Sequence, residues 1–73
     1  MYNIYYANSI SHFYLVNADT NNYYLGKTIT QAFRKNKPLT DFYLPGYDHN
    51  NFKFLFSCNS YEEAIATYPE YFV

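Results

Sequence analysis

The chain carries more aromatic rings than an interior of its size can hold, and that surplus constrains its folds more than any other feature. Eleven Tyr and seven Phe stand among 73 residues, with no Trp. A domain this short buries only about 60% of the surface its unfolded chain exposes. Each buried aromatic side chain takes up roughly 150–250 Å². The seven Phe, with four Ile, five Leu and two Val, already suffice for such an interior. Much of the tyrosine is therefore expected at the core boundary or outside it. Hydrophobicity this high with so little net charge excludes intrinsic disorder. The length excludes a multi-domain enzyme and any large internal cofactor pocket, so residues 1–73 are expected to form one domain.

Charge narrows the partners. Five Lys and Arg face six Asp and Glu, for a formal net charge of −1. A non-specific polyanion binder is plainly basic and a polyanion mimic plainly acidic, and this chain is neither. One cysteine, Cys58, excludes an intrachain disulfide framework and suits a reducing compartment. The start, MYNIYYANSISHFYL, lacks the basic segment and apolar run of a signal peptide. No stretch approaches the ~20 apolar residues of a membrane span. The expectation is a cytoplasmic protein, in the host cytoplasm if the source is a phage. Asn, Tyr, Phe, Ile and Lys make up nearly half of the chain, a usage that AT-rich codons favour.

Periodicity supplies the fold. Tyr2 to Ala7 is rich in strand formers, and His12 to Asn17 alternates with Phe13 and Leu15 on one face and Tyr14 and Val16 on the other. Residues 18–22 (ADTNN) are a turn cluster, after which Tyr23-Tyr24-Leu25 returns as the second arm of a hairpin. Ile29, Ala32 and Phe33 fit an amphipathic helix capped by Thr28 or Thr30, with Pro38 as its stop. Residues 39–51 (LTDFYLPGYDHNN) are irregular and, at this length, read as a functional loop. Phe52 to Cys58 is a strand with Phe52, Phe54 and Phe56 on one face. Ser60 and Glu63 match a capping box, ahead of a stripe of Tyr61, Ala64, Ile65 and Tyr68 that Pro69 ends.

The expected architecture is thus a small two-layer α+β domain in the order β-β-β-α-β-α. A mainly antiparallel sheet of about four strands carries two short helices on one face. Phe13, Leu15, Leu25, Phe52, Phe54 and Phe56, with Ile4, are expected to meet Ile29, Phe33, Ile65 and Tyr68. The opposite sheet face then presents Tyr5, Tyr14, Val16, Tyr24, Lys53 and Leu55.

Catalytic and metal signatures fail on spacing. Gly26-Lys27-Thr28 would need a glycine at position 21 to cradle phosphate, and Asn21 stands there. It reads instead as a strand exit and helix cap. Cys58, His12 and His49 have no ordering partner, and a free Cys on the Phe face behaves as a small buried hydrophobe. Asp48-His49 falls short of the three or four convergent ligands a metal needs. Glu62 and Glu63 already serve a helix start, and Asp41 with Asp48 lacks catalytic context. Neither an enzyme activity, a cofactor nor a metal is expected.

What remains is recognition. Four of the five cations, Lys27, Arg34, Lys35 and Lys37, fall within eleven residues around the first helix. They read as a solvated helix face or as a docking patch for an acidic partner or for phosphates. With only 15% charged residues, the surface must be built from Tyr, Asn, Ser and Thr, as antibody paratopes are. The expected interface combines Tyr5, Tyr14 and Tyr24, the loop residues Phe42, Tyr43 and Tyr47, and the basic helix flank Lys27, Arg34, Lys35 and Lys37. The expectation is a non-enzymatic protein-binding domain that occludes a host factor, of the kind phages and mobile elements use as anti-defence or anti-CRISPR inhibitors. The alternative is a single-stranded nucleic-acid binder that stacks bases on the same face. A symmetric homodimer through a sheet edge or tyrosine face is compatible with the first reading.

Overall fold

A computed structural model describes residues 1–8, 10–35 and 52–72. The expected order is the observed one. Strands β1 (Tyr2–Ala7), β2 (His12–Asn17) and β3 (Asn22–Gly26) precede helix α1 (Ile29–Phe33), strand β4 (Phe52–Cys58) and helix α2 (Tyr61–Thr67). A 3-10 turn, Pro69–Phe72, follows. The strands form one sheet in the order β3-β2-β1-β4, with every neighbouring pair antiparallel. The expected loop 39–51, with Phe42, Tyr43 and Tyr47, and also Lys37, lies outside the described residues.

Both helices lie over the same sheet face. Ile29 and Ala32 of α1 and Ala64 of α2 close one buried cluster with Ile4, Leu15, Phe56 and Cys58. Tyr2, Phe13, Tyr24, Phe33, Leu55, Tyr68 and Phe72 pack around it. The Thr30 and Tyr61 hydroxyls, 2.9 Å apart, tie α1 to the start of α2. Local chemistry sets the helix starts. Thr28 Oγ1 accepts from the Gln31 amide and Ser60 Oγ from the Glu63 amide. The Glu63 carboxylate reaches back one residue beyond the cap, where it accepts from the Asn59 amide.

Four core assignments differ from the alternation pattern, each for a physical reason. The β2–β3 turn pairs Asn17 with Asn22, so Leu15 faces Tyr24 and Tyr14 faces Leu25. Tyr24 therefore sits on the helix side and Leu25 on the other, the reverse of the expectation. In β4 the pairing with β1 slips between Ile4 and Tyr5, so that Ile4 faces Phe56 while Tyr5 faces Phe54. Leu55 is the extra residue of a β-bulge, and a bulge of one residue turns the two halves of a strand to opposite faces. Phe56 and Cys58 stay in the core, whereas Phe52 and Phe54 pass to the far face and Leu55 packs against the core. Ile65 is the fourth. Ala64 is the residue of α2 that meets the sheet, and Ile65, one helical step around, is 38% exposed. Phe56 is covered instead by Tyr68, as expected, and by Tyr71, whose rings lie 4.4 and 5.2 Å from that of Phe56.

Candidate interaction surface

The far face of the sheet carries a ladder of rings, one from each strand. Phe54 of β4 meets Tyr5 of β1 edge to face at 5.5 Å, and Tyr5 meets Tyr14 of β2 at 6.2 Å. Tyr14 in turn stacks on Tyr23 of β3 at 5.7 Å with an interplanar angle of 13°. Phe52 flanks the ladder, its ring 5.5 Å from that of Tyr14. Cross-strand register produces this arrangement. Tyr5 is paired with both Tyr14 and Phe54, and the β2–β3 register sets Tyr23 diagonal to Tyr14. Aromatic pairs of this geometry contribute about 0.5–1.5 kcal/mol each beyond the area they bury. At one end of the face a hydrogen bond from Ser57 Oγ to Asn3 Oδ1, 2.7 Å long, links β4 to β1.

The expected site residues divide. Tyr5 is half-buried on the ladder as expected. Tyr14 is on that face too, but with Tyr5, Tyr23 and Phe52 around it the side chain is 6% exposed and serves as the ladder's centre rather than its contact surface. Tyr24 leaves the site, because it packs on the helix side opposite Leu15. Lys27, Arg34 and Lys35 are exposed around α1. The sequence reading missed Tyr23, Phe52 and Phe54. Phe54, 54% exposed, is the most open ring of the ladder. The face of Tyr23 depended on how many residues the turn consumes, and the two Phe were hidden behind the bulge.

Electrostatics and reactive groups are sparse. Among the described residues the one ion pair joins the Met1 ammonium to Asp19 at 2.9 Å, between groups exposed enough for it to contribute little. Lys27, Arg34, Lys35 and Lys53 are exposed and have no carboxylate partner among the described residues. Cys58 is buried, and burial, reinforced by the Glu63 carboxylate, pushes its thiol above the ordinary value. Cys58 is paired with Tyr2 and His12 with Ala7, so the two sit at opposite ends of β1 and form no thiolate–imidazole pair. No group of three or more His, Cys, Asp or Glu converges among the described residues. No helix there is long and apolar enough to cross a membrane. Comparison with family models, with curated proteins and with solved structures gave no match, so any functional reading of this surface rests on its geometry.

Proposed function

We propose that the chain is a non-enzymatic protein-binding domain that docks on another protein through the ring ladder. Any inhibitory effect would come from occlusion. The observation that carries this reading is Phe54, a large apolar ring turned outward by the Leu55 bulge and left 54% exposed at the end of the ladder. Interfaces concentrate their energy in such aromatic anchors, surrounded by near-neutral contacts that exclude water. The Tyr-rich, charge-poor composition supports a small inhibitor from a phage or mobile element, acting on a host factor in the cytoplasm.

The test is capture of a partner from host lysate by the wild-type chain, Phe54→Ala and Glu62→Ala, with binding of the captured protein then measured directly. Glu62 is exposed on α2, away from the ladder. Loss of about 2 kcal/mol, roughly 30-fold in Kd, is expected for Phe54→Ala and none for Glu62→Ala. Undiminished affinity of Phe54→Ala overturns the reading.

A further inference from the structure

A second feature stands apart from the ladder. Where β3 ends and α1 begins, a groove of about 340 Å³ is lined by His12, Leu25, Gly26, Lys27, Gln31 and Lys35. We propose that this groove binds an oxyanion, a phosphate or carboxylate group, held between Lys27 and Lys35.

Donor chemistry carries the argument. Among the described residues no acidic side chain lines the groove, and neither lysine is paired with a carboxylate. The Oε1 of Gln31, its acceptor atom, is already engaged by the Lys27 backbone amide at 2.9 Å. What Gln31 has left to offer is its Nε2 amide, which only donates. His12 Nδ1 lies 2.5 Å from the Ile10 carbonyl oxygen, which can only accept, so Nδ1 carries the proton to it; Nε2 of the neutral ring is an acceptor, and His12 lines the groove without donating to an anion. The donors of the lining are therefore the Gln31 side-chain N–H groups and the two lysine ammoniums, which also supply two positive charges. The complementary ligand is acceptor-only and negative, which describes phosphate and carboxylate oxygens.

Shape is fixed from below. A Cβ at Gly26 would stand 2.6 Å from the Ala32 backbone nitrogen, so the strand end and the helix are pressed together beneath Lys27. The Lys27 amide bond to Gln31 spans the same junction. Lys27 precedes the helix and Lys35 follows it, which brings the two cations to the groove from opposite ends of α1. The role is independent of the ring ladder.

The experiment is an NMR titration of the full chain, recording backbone and side-chain amides, with ionic strength held constant by sodium chloride. One arm adds sodium phosphate and the other sodium acetate. Saturable shifts at the Lys27 amide and the Gln31 side-chain amide are expected in at least one arm. The arm that saturates identifies the source chemistry. Lys27→Gln combined with Lys35→Gln is expected to weaken binding at least tenfold, with the remaining spectrum retained, whereas Lys53→Gln leaves it unchanged. Linear, scattered shifts in both arms overturn the proposal, as does an equal loss in Lys53→Gln.

Discussion

Ser11 and Asn21 hold left-handed backbone angles, φ 56° and 59°, at the entries to β2 and β3. That region costs an ordinary L-residue roughly 1–2 kcal/mol, less for Asn, whose side chain bonds locally. Ser11→Gly is expected to raise stability by about 0.5–1 kcal/mol, the relief of strain exceeding the added freedom of the unfolded chain. Asn21→Val is expected to lower it by about 1 kcal/mol or more. Denaturant midpoints at unchanged slope test both. Gly26→Ala meets backbone rather than a yielding side chain, so a loss of about 2–3 kcal/mol is expected by the same measurement. Cys58 is expected to resist thiol labelling until the chain unfolds. Since burial raises its folded pKa, the thiol's contribution to stability is intact below the ordinary value of 9.0 and is lost as pH climbs beyond it. Cys58→Ala should remove that part of the alkaline loss, visible as the difference between the two unfolding curves. The Ser60 cap was legible at this scale, and the Thr28 cap as one of two candidates with Thr30, because each acts within three residues of itself. The strained angle at Ser11 was not, because serine gives no conformational signal of its own.

Elements show where local patterns stop being enough. Strand propensity, turn signals and alternation located the four described strands, and the pattern correctly put Phe13, Leu15 and Ile4 toward the helices. It could not decide between Tyr24 and Leu25, because that depends on how many residues the turn consumes before pairing resumes. Nor could it see that Phe52 and Phe54 part company from Phe56, because the bulge arises from pairing with a strand almost fifty residues away. The separation has a measurable signature. Phe56→Ala, at 3% exposure, is expected to cost about 3–5 kcal/mol. Phe54→Ala is expected to cost less than about 1 kcal/mol, since surface positions contribute little. Equal costs would mean that the strand runs straight and all three rings share the core.

The whole molecule is a sheet with a different apolar cluster on each side. One is a conventional core under two short helices, and the other is the ring ladder that includes buried Tyr14 and lies beside buried Ala7. Among the described residues the aromatic surplus is thus largely used in pairing rings with rings, and Phe54 and Tyr71 are the rings left most exposed. This scale separates the two readings of recognition. Docking through an apolar ladder is expected to lose only a few-fold in affinity between 50 and 200 mM salt. A protein making 6–10 phosphate contacts would lose about 10³–10⁵ over the same range. Measuring partner and single-stranded DNA binding across that range distinguishes them, and a steep fall for the protein partner would count against the ladder as the principal contact.

The bulge has one more consequence, for the chain in a crowded cell. Phe52 to Cys58 (FKFLFSC) combines high strand propensity with a single charge, the composition of segments that stack into fibrils. Among the described residues it is also an outer strand of the sheet, the position at which backbone groups can template a foreign strand. The extra residue at Leu55 breaks the even spacing of those groups, and exposed Lys53 sets a charge beside the break. The irregularity that turns Phe54 outward thus also makes the strand displaying it a poor template for aggregation.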